Sequence, residues 1–241
     1  MNRSILAVAV WLTASLAALA QAPAATPSVT ITLGARQGQA VPVRQGFTHT
    51  GGGNIDVAQP APDTVVITMT GVAVAGGHPC RNSTAALTYD LSQVFEIAFE
   101  KPDVKRAKLT IEGRVIGLLR SHERGGGSAQ EGPATASMNS GETVLATVTL
   151  PAHAVAGGEN LSVNDHDGPI GVSVAAGKYT MHQCWSVSAS HPKRLKLCKA
   201  ASAEFAPDPA LDPLWISYWE PFHGAAKKDF GFQVTLRVSA E

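Results

Sequence analysis

Leu91 to Arg120 reads LSQVFEIAFEKPDVKRAKLTIEGRVIGLLR, and its alternation decides the fold class. Phe95, Ile97 and Phe99 alternate with Glu96, Ala98 and Glu100. Beyond Lys101-Pro102-Asp103, Leu109, Ile111, Val115 and Leu119 alternate with Lys108, Thr110, Glu112, Arg114 and Arg120. A period of two sends one set of side chains to a core and the other to solvent, which is the pattern of a half-buried strand. Pro-Asp between two such runs is turn chemistry, so the stretch predicts two long strands, neighbours in one sheet.

The same alphabet continues outward in both directions. Upstream, Val29-Thr-Ile-Thr-Leu33 alternates, Val41 to Phe47 is a second short run, and Thr48 to Asn54 (THTGGGN) reads as a loop. Pro60-Ala-Pro-Asp63 is a turn before the β-branched strand Thr64 to Thr70, and Gly76-Gly-His-Pro-Cys80 is another Gly-rich corner. Downstream, Ser121 to Glu142 is the longest polar interruption and reads as a loop that could divide the chain in two. The strand Thr143 to Leu150 follows at once, which favours one domain. Asn160 to Val163 and Ile170 to Val174 are short strands around a turn at Asp165-His-Asp-Gly-Pro169, and Phe230 to Ser239 is the last alternating run. Pro213 to Trp219, with Asp212 as N-cap, is the best candidate for a short helix. No longer segment has a helical period. The expectation is an all-β, antiparallel β-sandwich, jelly-roll-like.

The first residues predict export. Asn2-Arg3 precedes an apolar run, Ile5 to Leu19, broken only by Thr13 and Ser15, and Ala18-Leu19-Ala20 meets the small-residue rule for cleavage. We therefore expect a signal peptide over 1–20, a flexible tail over 21–27, and one sandwich domain over 28–241, with 121–142 as the place of any internal division. Cleavage removes Arg3 and no acidic residue, leaving 18 basic residues against 19 acidic ones. A near-neutral chain has no electrostatic footprint for nucleic acid. No second long apolar stretch follows, so a secreted or periplasmic location without membrane insertion of the mature chain is expected.

Three cysteines in an exported protein leave one over. Cys184 and Cys198 lie symmetrically about His191 in QCWSVSASHPKRLKLC, so a hairpin folded there sets them opposite one another as a disulfide, with Cys80 left out. Asn82 and Asn160 begin glycosylation sequons, which matter in a glycosylating host.

Chemistry is sparse. The chain has no G-x-S-x-G elbow, H-E-x-x-H, P-loop or dinucleotide fingerprint. His78-x-Cys80, with His49 in the other Gly-rich stretch, offers imidazole and thiol ligands but lacks the paired spacings of a zinc site. Asn164-Asp-His-Asp-Gly168 resembles half a calcium loop, without its first or closing carboxylate, and an Asp-Gly turn explains the same letters. Glu96 and Glu112 could face each other as a carboxylate pair, although an ordinary solvated sheet face accounts for both. Trp215, Tyr218 and Trp219 form the one aromatic cluster; Trp215 and Trp219 share a face at either period and suit sugar stacking, or plug one end of the sandwich.

The reading is a secreted, non-catalytic β-sandwich with a structural, surface or adhesive role, no cofactor and no bound metal. The partner expected is polysaccharide or another surface protein. The alternatives are a carbohydrate-binding module using Trp215, Tyr218 and Trp219, and a metal-assisted hydrolase built on His49, His78 and Asp165–Asp167.

Overall fold

The computed structural model describes residues 28–46, 48–76, 82–121, 127–192, 200–205 and 231–241, without the side chains of 49–52, 200, 202 and 204. Within these residues all regular structure is antiparallel strand. No described helix is long and apolar enough to cross a membrane. The strands are β1 (Val29–Gln45), β2 (Thr48–Ala61), β3 (Thr64–Gly76), β4 (Ser83–Phe99), β5 (Ala107–Ser121), β6 (Ser128–Glu131), β7 (Ala134–Ser140), β8 (Thr143–Leu150), β9 (His153–Ala156), β10 (Asn160–Val174), β11 (Gly177–His191), β12 (Ala200–Phe205) and β13 (Gly231–Ala240).

They form two sheets. In the first, β1 pairs with β4 and β4 with β11, whose far edge carries β7 along one half and β6 along the other. Beyond these lie β8 and β9, paired to β7 and β6. The second runs β2, β3, then β12 and β13 end to end, then β5 and β10.

Several of the thirteen strands are halves of one. In β6–β9, Glu131 opposes His153, and in β7–β8, Ala134 opposes Leu150, so both pairs share one register. They are a single hairpin, closed by the turn at Gly141-Glu142 and interrupted where Gly132-Pro133 faces Pro151-Ala152. Proline has no N–H for a ladder, so facing prolines cut both strands at the same level. β12 and β13 likewise share one track, with 206–230 between them.

The core lies where the inward faces meet. Trp185, at the centre of β11, stacks on Tyr89 of β4 with ring centroids 5.6 Å apart. Across the core it meets Phe205 of β12 edge-on at 5.4 Å and Phe232 of β13 at 6.4 Å. Gly117 on β5 leaves room for the Phe205 ring, since a Cβ there would lie 2.2 Å from its Cδ1. Val65, Ile67, Met69, Leu109, Ile111, Leu119, Val234 and Leu236 complete the second sheet's buried face.

The all-β sandwich predicted from alternation is present, and the strand Phe230 to Ser239 reappears as β13 with Phe232, Val234, Leu236 and Val238 inward. Its wiring departs from expectation in five places. The two runs of Leu91–Arg120 are not neighbours: β4 and β5 belong to opposite sheets. Alternation reports which face is buried and not which sheet a strand joins, and the connection over 100–106 is long enough to cross the roughly 10 Å between stacked sheets. Val29–Leu33 and Val41 onward are one strand with an irregularity between Leu33 and Arg36. Thr48–Asn54 is part of β2 rather than a loop, because sheet pairing to β3 supplies the hydrogen bonds its glycines do not discourage. The interruption Ser121–Glu142 contains β6 and β7, whose Ser, Thr and Ala residues are strand-compatible once one face is buried.

The return after His191 is no in-sheet hairpin. β11 stays in the first sheet between β4 and β6/β7, and the chain resumes as β12 in the second. β1 lies at the edge of one sheet and β13 in the middle of the other.

Candidate functional site

One group of chemically capable side chains converges among the described residues, on the flank where β8/β9 of the first sheet faces β10 of the second. Glu131 ends β6 just before Gly132-Pro133, and His153 begins β9 just after Pro151-Ala152. They are directly opposite in the ladder and both face inward. From the facing sheet, Asp165 lies opposite Val115 and Asp167 opposite Gly113, also on the inward face of β10. As β10 is an edge strand, these carboxylates meet the first sheet's edge instead of the core.

The contacts are specific. His153 Nε2 lies 2.5 Å from Asp165 Oδ2, with both side chains about a quarter exposed (25% and 26%). One alternate position along, the backbone N–H of Thr149 donates to Asp167 Oδ2 at 2.7 Å. Two aspartates of one sheet are thus fastened to two edge strands of the other. Beneath them Glu131 is 1% exposed. Its Oε1 accepts the Trp185 indole N–H at 2.9 Å, and its Oε2 has no hydrogen-bond partner among the described residues. Burial pushes the Glu131 carboxyl up to about 7; the charge of Asp165 adds to this, while the Trp185 hydrogen bond and His153 oppose it. A carboxyl group that is neutral or charged near pH 7 therefore sits directly under an imidazole–carboxylate bridge.

Neither Glu131 nor His153 stands out in the sequence reading. Their signal is the pair of prolines, Pro133 and Pro151, each flanking one polar residue at a break in an otherwise regular strand. Asp165 and Asp167 were legible, but as a turn. They lie within a single strand, β10, with an irregularity between Asp167 and Ile170, because β5 supplies a continuous partner on one side.

The other candidates fall elsewhere. Glu96 faces outward from β4 and Glu112 outward from β5, on opposite outer faces of the sandwich, so they cannot flank one bond. Glu112 instead meets His166 Nε2 at 2.9 Å, an exposed pair of little energetic weight. His49 lies on β2 opposite Val74, with its side chain outside the described residues. His78, Cys80, Cys198, Trp215, Tyr218, Trp219 and the helix expected at Pro213–Trp219 all lie outside them. Among the described residues no three His, Cys, Asp or Glu side chains are arranged to hold a metal ion. Cys184 is an exposed free thiol. Its ladder neighbours are Asp90 on β4 and Thr135 on β7, and Cys198, the partner expected for it, lies outside the described residues. Burial and the carboxylate of Asp90, 3.8 Å from its Sγ, hold that thiol above its ordinary range.

The outward face of the first sheet is the other distinctive surface. Its rows run Gln39, Val41, Val43 and Gln45 on β1; Thr84, Ala86, Thr88 and Asp90 on β4; Cys184, Ser186, Ser188 and Ser190 on β11. Ser128 and Gln130, then Ala154 and Ala156, continue it to the far edge. Asp90 is the single formal charge on these rows, Glu96 and Lys178 lie opposite one another further along the same face, and Val41 and Val43 are 51% and 54% exposed. No protein-family model, curated protein or solved structure matches the chain.

Proposed function

We propose that this is a secreted, non-catalytic β-sandwich with a surface or adhesive role, presenting the outer face of its first sheet. The observation that carries this reading is the part of that face between Thr84 and Asp90 on β4: hydroxyl and methyl groups spread over five strand tracks with Asp90 as the only charge. Such a face offers many weak, low-entropy contacts to a polysaccharide or to another protein surface, since short Ser, Thr and Ala side chains lose little rotamer freedom on contact. The side chains with catalytic potential support the same reading, because Asp165 and Asp167 are engaged in joining the sheets. The test is attachment of purified protein to cell envelopes and isolated envelope polysaccharide. The paired replacement Thr88→Lys with Ser186→Glu should reduce attachment at least tenfold while leaving the melting temperature unchanged. Attachment that survives these replacements would overturn the proposal.

A second reading, carbohydrate binding through Trp215, Tyr218 and Trp219, is favoured by one observation. The ladder continues across the gap between Phe205 and Gly231 without skipping a position, so those aromatics belong to a stretch that the sheet does not need for its register.

A further inference from the structure

We propose that Glu131, buried beneath the His153–Asp165 bridge, is a proton-operated latch: protonated, it leaves the β6/β9 flank closed on β10, and ionised, it loosens that flank. This goes beyond the surface role and does not rest on it.

The argument starts from mechanical independence. β6 and β9 are four-residue strands, each cut from its continuation by proline at the same level. They are held to the sandwich by the β6–β11 ladder, by Gly132 N–H donating to Ser186 at 2.8 Å, and by His153 reaching Asp165. A short segment with its ladder interrupted can open locally without unfolding the rest.

Chemistry then couples that opening to a proton. A buried, ionised carboxylate with one oxygen unpartnered carries an uncompensated desolvation cost, and admitting water by opening the flank relieves it. Facing Glu131 are His153 from β9 and Asp165 from β10, with Asp167 one alternate position further along. Inward on β11, Tyr179 and His191 are titratable but stand eight and four positions from Val187, the residue opposite Glu131, whereas Trp185 beside it and Val115 of β5 carry no titratable group. Asp165 opposes ionisation of Glu131, and a charged His153 favours it. The folded value is raised from 4.5 to about 7, so the flank is tightest below pH 4.5 and loosens as pH rises towards 7, with little further change above that.

The test is amide hydrogen exchange read by mass spectrometry, corrected for the intrinsic pH dependence of exchange. For one linked proton, opening of peptides covering 153–156 and 161–167 should be about seventyfold more frequent at pH 8 than at pH 5. Glu131→Gln, a neutral isostere that keeps an acceptor for Trp185, should abolish the difference while leaving β3 and β4 peptides unchanged. Equal corrected opening at both pH values in the wild type, or the same pH dependence in Glu131→Gln, would overturn the latch. If that variant fails to fold, the wild-type indole N–H resonance of Trp185 decides, assigned by elimination with Trp→Phe replacements at positions 11, 215 and 219. It should shift with an apparent midpoint near pH 7, and a resonance that stays put from pH 5 to 9 would overturn the proposal.

Discussion

Deleting residues 206–230 and joining Phe205 directly to Gly231 should leave the sandwich folded. Glu204 opposes Leu118 and Gly231 opposes Ile116 on β5, so one position separates the two pairings, the one Phe205 fills. On the other side Phe205 opposes Gly71 and Phe232 opposes Met69, leaving one position for Gly231. Inward and outward alternation is preserved, with Phe205 and Phe232 both inward against Trp185. The deletion removes a closed loop of 25 residues. Its closure entropy is about 3 kcal/mol from the logarithmic length law. At about 2–4 °C per kcal/mol for a chain of this size, the splice should melt up to about 10 °C higher, less any packing that the deleted residues supply. Calorimetry gives the first readout, and retention on immobilised polysaccharides the second. A folded splice that loses retention would assign Trp215, Tyr218 and Trp219 to the sugar. A splice without a cooperative transition would refute the continuous-strand reasoning and place those aromatics in the core.

Three further outcomes are expected. Gly117→Ala drives a methyl group into the Phe205 ring and should cost about 3 kcal/mol in chemical denaturation, with partial recovery in the double variant with Phe205→Leu; an unchanged midpoint would disprove the close approach. Cys184 should be alkylated in the native state, slowly because its thiol is held above the ordinary range, and peptide mapping that instead finds it joined to Cys80 or Cys198 would contradict the free thiol. Global stability should fall by at most about 3 kcal/mol between pH 4.5 and pH 7 through Glu131 alone, because the group whose folded value is raised stabilises when protonated. The difference between wild type and Glu131→Gln isolates that share, and parallel curves would eliminate it.

The elements legible in the sequence are those whose letters carry a period. Thr64–Thr70, Thr143–Leu150 and Phe232–Val238 each show alternation on one strand and reappear as strands with alternate residues buried, Val144 excepted. Connectivity was not legible for the same reason. Leu91–Arg120 alternates identically whether its halves lie side by side or face to face, and only the length of 100–106 bears on the choice. The in-sheet hairpin centred on His191 was misread on a related point. Symmetry about His191 is a property of letters, whereas the partner of β11 was decided by fifteen matched positions on β4, from Gly177 opposite Ile97 to His191 opposite Ser83.

Glu131 and His153 escaped notice because neither belongs to a spacing motif. What unites them is a shared register across a hairpin whose two strands are broken by proline at one level, and register is set by the whole pairing rather than by any window of sequence. The same physics explains why a carboxyl group is tolerated there. A regular strand at that level would have closed the ladder over an inward Glu and left its oxygens in an apolar core, whereas the proline break puts Glu131 beside Trp185 N–H and under the His153–Asp165 bridge. The break that makes the site readable in the structure is therefore also the condition for its existence. Replacing Pro133 and Pro151 with Thr should restore the ladder, tighten the flank against hydrogen exchange, and raise the Glu131 ionisation midpoint further. A looser flank after that repair would show that the prolines hold the site together instead of opening it.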